Sequence, residues 1–316
     1  MRAALLALAL AICGAAPGLA EMKGHGAMVN AVAVSPDGTR VLTGSWDYTA
    51  RLWNLATQRE IAVLDDHAAS VTAVAFLPDG RHALTASRDA TLKLWDLAAG
   101  QVVRSFEGHA NNIADVAVSP DGRIAASASW DPGIRLWDIA SGRELRALSG
   151  HRANVMAVAF LPDGRQLLSA GYDWKLMLWD VAGGDPLAVL EGHENSVNAV
   201  AVSADGRLAL SGSTDETLRL WDLAARRELR VLAGHKGFVA AVALSPDGGR
   251  ALSGGGDRVL RLWDVDSGEV LREMPGHQRP ILSVAFTPDG RRALSAGYDG
   301  LVKLWDLESG TEIQAE

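Results

Sequence analysis

The sequence predicts an all-β protein made of repeated four-stranded units, the kind that form propeller blades. Three observations lead there. Histidines recur at one constant step, at His25, His67, His109, His151, His193, His235 and His277. Tryptophans keep the same step, at Trp53, Trp95, Trp137, Trp179, Trp221, Trp263 and Trp305. Between them, short runs of alternating apolar residues are broken by Pro-Asp-Gly and related turns. A period of this length without insertion or deletion marks a solenoid, propeller or array.

Residues 192–232 show one unit, element by element. Val197 to Val202 alternates like a strand. Ala204-Asp205-Gly206 turns the chain, and sister units write this turn as Pro36-Asp37-Gly38. Proline pre-sets the first turn angle and glycine accepts a positive φ. Leu208 to Ser213 is a second strand, Asp215-Glu216-Thr217 a second turn, Leu218 to Trp221 a third strand and Glu228 to Leu232 a fourth. Four short strands joined by tight turns make one propeller blade.

The residues resemble the WD-repeat family. Gly-His and Trp-Asp pairs recur at fixed separation from Gly24-His25 to Trp305-Asp306, with Asp66 before His67 and Asn54 after Trp53 as departures. The resemblance implies one domain, residues 21–316, folded as a seven-bladed β-propeller of four-stranded antiparallel blades. Two more positions repeat. One is acidic: Asp47, Asp89, Asp131, Asp173, Asp215, Asp257 and Asp299. The other, four residues earlier, bears a hydroxyl: Thr43, Thr85, Ser127, Ser169, Ser211, Ser253 and Ser295. In proteins similar to this one, Asp, His, Ser/Thr and Trp form a hydrogen-bonded tetrad. Buried imidazole and indole N–H groups need such partners.

Ser, His and Asp together also suggest a hydrolase. The structural reading is preferred because the set occurs seven times and its hydroxyl is committed to a tryptophan. No catalytic residue is therefore expected, and no cofactor or metal. Seven histidines on seven blades cannot converge on one ion, and no cysteine follows Cys13. His82, outside the series, is expected to be a solvated residue near a bottom turn, as are the turn residues Asp37, Arg81 and Asp121.

Candidate binding residues are those that break the repeat. Just before each tetrad aspartate stand Trp46, Arg88, Trp130, Tyr172, Thr214, Gly256 and Tyr298, with Trp174 just after Asp173. The chain has 10 Trp, 3 Tyr and 5 Phe, so aromatics are concentrated at this position. In the family this turn lies on the top face. The residues three and five after each histidine join the same rim. Among them Met28, Asn30, Asn112, Asn154, Met156, Phe238, Pro280 and Leu282 are expected to contribute to partner binding. Large aromatics, one arginine and few other charges is the composition of an interface core.

Residues 1–20 read as a secretory signal peptide. A positive start at Arg2 precedes an apolar run from Ala3 to Ile12, and small residues lead to a cleavage site after Ala20. The run is shorter than a membrane span requires, and Ile12 before Cys13 does not suit lipidation. Cleavage would remove the one cysteine together with Arg2, taking the formal net charge from −8 to −9. No disulfide can then support the fold. An acidic chain without a basic stripe is a poor binder of nucleic acid or anionic membranes.

At the C-terminus, residues 311–316 align with 143–148, so the C-terminus is expected to supply the fourth strand of the last blade itself. Strand exchange with the N-terminus is not expected; Pro17 to Met22, mostly signal, could compete for that edge only in an uncleaved chain. The leading functional expectation is a non-catalytic scaffold outside the cytoplasm, in a bacterial periplasm, that binds a protein or extended peptide on its top face. Two alternatives stand beside it: an enzyme or small-molecule binder using the central channel, and a docking subunit for a periplasmic electron-transfer protein.

Overall fold

The computed structural model describes residues 22–314; the expected signal peptide and its cleavage site lie outside the described residues. Blade one holds β1 (Val29–Val34), β2 (Arg40–Ser45), β3 (Ala50–Asn54) and β4 (Glu60–Leu64), paired antiparallel in chain order. Blade two holds β5 (Val71–Phe76), β6 (His82–Ser87), β7 (Thr91–Asp96) and β8 (Gln101–Glu107). Blade three holds β9 (Ile113–Val118), β10 (Ile124–Ser129), β11 (Gly133–Asp138) and β12 (Glu144–Ser149). Blades four to six repeat the order as β13–β16 (155–190), β17–β20 (197–233) and β21–β24 (239–275). Blade seven contributes β25 (Ile281–Phe286), β26 (Arg292–Gly297) and β27 (Val302–Asp306). Each first strand packs against the first strand of the next blade, and β25 reaches β1, which closes the seven-bladed propeller.

Burial follows position in the blade. Second strands are buried almost throughout, whereas fourth strands such as β12 expose most of their residues. The core lies between blades. Trp137, 2% exposed, packs with Leu84, Leu92, Phe106 and Ile113, so the indole of blade three seals its joint with blade two. Truncating such a ring to alanine costs about 3–5 kcal/mol. The glycine before six of the seven tetrad histidines follows from this packing. A Cβ at Gly276 would come within 2.8 Å of the Trp305 ring, and one at Gly150 within 2.8 Å of Trp179.

The bottom turns obey local chemistry. At Ser35-Pro36-Asp37-Gly38, the Gly38 N–H donates to the Ser35 carbonyl and Gly38 takes φ 70°. Asp37 accepts from the Thr39 N–H at 3.0 Å, and its hydrogen bond from Ser35 comes first among the causes that hold its pKa near 2.

Ring closure departs from expectation. Among the described residues, the C-terminus supplies the start of the fourth strand of blade seven: Glu312 bridges Trp305, and the Ile313 N–H donates to the Leu304 carbonyl at 2.7 Å. The next contact comes from the other end of the chain, where Met22 bridges Val302. Met22 is 1% exposed and packs with Trp53, Val302 and Leu304, with Ile313 alongside. It stands one period before Leu64 and so fills the place that Leu148 fills in blade three. The fourth strand of blade seven is thus a composite of both termini.

Candidate functional site

The seven polar quartets have closely similar geometry. His Nδ1 lies 2.7–3.0 Å from its closest Asp oxygen, and His Nε2 lies 2.6–2.7 Å from the hydroxyl. The indole N–H donates to the same hydroxyl at 2.7–2.9 Å. Each aspartate also accepts from the backbone N–H just after its histidine, as Asp131 does from Ala110 at 3.0 Å. Burial by itself would raise these carboxyl pKa values. The hydrogen bond from the histidine, with the backbone donors, outweighs it and holds all seven below the ordinary 3.8. Their stabilising contribution is therefore complete above about 3.8 and is lost as pH falls below it. Where Nδ1–H donates to the aspartate, the indole N–H donates to the hydroxyl and the hydroxyl donates to Nε2.

These distances are also those of a nucleophilic triad. The seven hydroxyl residues, however, are 0% exposed, and each already accepts an indole proton, so no substrate carbonyl can reach them. Blade six adds a charge. Arg261, 3% exposed, lies 2.5 Å from Asp257, 2.9 Å from Glu273 and 2.7 Å from His235 Nδ1. Blade two repairs a departure: Asp66, in place of the usual glycine, pairs with Lys93, whose blade carries Val102 where blade three has Glu144.

Two sets of rim positions are joined by one repeated backbone bond. The residue before each tetrad aspartate donates its N–H to the carbonyl of the residue three after the histidine. The pairs are Trp46 to Met28, Arg88 to Ser70, Trp130 to Asn112, Tyr172 to Asn154, Thr214 to Ser196, Gly256 to Phe238 and Tyr298 to Pro280, at 2.8–3.0 Å. The residues five after the histidine have a different origin. In every first strand the register shifts there, so Asn30, Thr72, Ala114, Met156, Asn198, Ala240 and Leu282 are bulge residues at the channel mouth.

The structure brings only some of these residues together. The Arg88 guanidinium lies 4.3 Å from the Trp46 ring centre and 5.4 Å from that of Trp130, a cation–π stack across blades one, two and three. Its Nε is buried without a hydrogen-bond partner among the described residues. A cavity of about 210 Å³ opens beside the stack, lined by Asn30, Arg88, Asn112, Trp130, Met156 and Leu282 among others. Trp46, Tyr172, Trp174 and Tyr298 are exposed, while Met28, Asn154 and Pro280 are half-buried. Phe238 is half-buried too, and its ring lies over Gly256, where a Cβ would meet it at 2.8 Å. Tyr298 lines a separate recess with His25, Met28 and Arg279 at the joint of blades seven and one. His82 lies away from this rim and meets Asp79 at 2.7 Å in a bottom turn.

Seven consecutive segments match the family model described as WD domain, G-beta repeat: residues 18–54, 58–96, 100–138, 142–180, 184–222, 226–264 and 268–306. The chain belongs to the WD-repeat family. Each WD repeat runs from the fourth strand of one blade through the third strand of the next, which is why Met22, inside the first repeat, completes the last blade. WD-repeat propellers generally serve as non-catalytic scaffolds that bind proteins or peptides. No helix among the described residues is long and apolar enough to cross a membrane.

Two functional candidates escaped the sequence reading. Tyr48, exposed, follows Asp47 at φ 73° and adds a ring beside Trp46 in sequence. Asp115 lies in the channel wall. Its signal was present: the residue six after each histidine reads Ala31, Ala73, Asp115, Ala157, Ala199, Ala241 and Ser283.

Proposed function

We propose that this propeller is a non-catalytic scaffold, acting outside the cytoplasm, whose top face holds a protein or an extended peptide. The observation that carries the reading is the Trp46–Arg88–Trp130 stack. Two indoles fix a guanidinium that forms no ion pair among the described residues, beside a cavity rimmed by amides and apolar chains. A fixed guanidinium with free donors suits a carboxylate on the partner. Rigid rings lose little entropy on docking, and Trp, Tyr and Arg dominate binding energy at interfaces. Export is supported by the signal-like residues 1–20, and cleavage after Ala20 would retain Met22 for ring closure. The test is affinity capture from the native cells with wild type and with Arg88→Ala/Trp130→Ala. The double variant is expected to keep the thermal stability of the wild type within a few degrees and to lose the partner. Retention of every wild-type partner would sink the reading. The first residue of the captured protein, expected to be Glu21, checks export.

A further inference from the structure

The central channel breaks the sevenfold pattern at one charge. Below the mouth is a cavity of about 230 Å³ whose wall is formed by the seven first strands. At the position six after each histidine, five blades place alanine, blade seven places Ser283 and blade three places Asp115. Asp115 is the one ionisable side chain on this wall, and none of the other six first strands contains a titratable residue. Neither does β10, which pairs with β9.

A purely structural role does not require this charge. Asp115 Oδ2 accepts the Val158 N–H at 2.9 Å and Oδ1 accepts the Val116 N–H at 2.8 Å. Ser283 makes the corresponding bond to the next blade with a neutral hydroxyl, accepting the Val32 N–H at 3.1 Å. Five blades dispense with the bond altogether. A carboxylate held inside a protein without a counter-charge is costly, and burial pushes the Asp115 pKa up to about 6.

The surrounding polar groups each donate to the neighbouring blade. Asn30 Nδ2 donates to the Val71 carbonyl and Asn198 Nδ2 to that of Val239, while the Thr72 hydroxyl donates to Ile113, at 2.7–2.9 Å. Each of these bonds runs to the next blade; the second Asn198 N–H goes to the Thr214 hydroxyl at 3.0 Å, and the oxygens of these bulge residues can still accept at the mouth. One carboxylate with neutral oxygens matches the charge of a singly charged hydrogen-bond donor, and no group of three or more His, Cys, Asp or Glu side chains that could hold a metal ion occurs among the described residues. Asp115 stands two residues below the first residue of its strand. At the rise of a strand that is about 6–7 Å, within reach of a four-carbon amine.

We propose that the channel of this propeller binds a primary ammonium group, with Asp115 as its counter-ion and Asn30, Thr72 and Asn198 as neutral acceptors around the mouth. The ammonium enters from the top face, carried by a free alkylamine or at the end of a lysine side chain. The mouth residues Asn30, Thr72 and Asn198 also line the cavity beside the aromatic stack, where Arg88 is the charged side chain; Asp115 lies on the channel wall outside that lining.

The experiment titrates n-butylammonium chloride and Nα-acetyl-lysinamide into full-length protein and follows the Val116 and Val158 amide resonances, with n-butanol and tetramethylammonium as controls. The expected result is a saturable shift with one or both primary amines and none with the controls; the amine that binds identifies the source. Asp115→Ala and Asp115→Asn should weaken binding at least about tenfold. Alanine is native to five sister blades, so the first variant is expected to fold, and its thermal transition confirms this. Affinity should rise roughly tenfold between about pH 5 and about pH 7, as a group with a pKa near 6 ionises. Equal binding by Asp115→Ala, equal binding of tetramethylammonium, or no saturable shift with either amine overturns the proposal. None of these outcomes bears on the affinity capture described above.

Discussion

Blade three and blade seven carry the same polar quartet but are completed differently. In blade three, β12 comes from one continuous segment and pairs with β11 from Gly133↔Ser149 to Trp137↔Glu144. In blade seven, Glu312 and Ile313 cover one end of β27 and Met22 covers the other, with two isolated bridges between them. The apolar anchors are alike, since Leu148 and Met22 are each 1% exposed. What differs is the chain attached to them. Leu148 belongs to a strand paired along its length with β11, whereas Met22 meets β27 through one bridge, at Val302, and leads into β1. Among the described residues, the ring is thus held shut by a latch with the packing of a blade but fewer backbone bonds.

The largest effect should separate the two anchors. Leu148→Ala is expected to cost about 2–5 kcal/mol in denaturant unfolding. Met22→Ala should cost less, because the segment before β1 can open locally while the ring stays folded. The same comparison predicts faster amide exchange along β27 than along β11. Equal losses and equal exchange would mean that the latch opens only when the whole ring unfolds.

A smaller effect should be the same in both blades. Ser127→Ala and Ser295→Ala each strand a buried indole N–H and an imidazole, at about 1–3 kcal/mol. Their quartet distances agree to about 0.1 Å, so unequal losses would show that position in the ring, rather than hydrogen bonding, sets the cost.

The smallest effect concerns one turn. After each tetrad aspartate the chain takes positive φ, from 66° to 75° in six blades. Blade seven uses Gly300 there; blade three places Pro132 at φ 29°, far from the value near −65° that its ring prefers. Pro132→Gly is expected to raise stability by about 1 kcal/mol and Gly300→Ala to lower it by a similar amount, read as opposite shifts in the thermal midpoint.

Much of the framework could be read from spacing alone. The constant step from His25 to His67 and onward fixes which His, Asp, hydroxyl and Trp share a blade, because a buried polar group must find the same partners each time the unit recurs. The rim positions were also legible, since a residue that breaks the repeat is free of the framework's demands. Their grouping was not. That Arg88 stacks between Trp46 and Trp130 while Phe238 folds over Gly256 depends on which neighbouring turns lie within reach across the ring.

The sequence by itself determined the blade, its quartet and the number of blades, since these depend on contacts within one period. The tertiary structure alone decided how the ring closes and what its centre contains. Met22 meets Val302 only when the ends of the chain converge, and Asp115 becomes a lone charge only when seven first strands face one axis. Both depend on residues hundreds of positions apart or on several blades at once, and no local pattern records such a meeting.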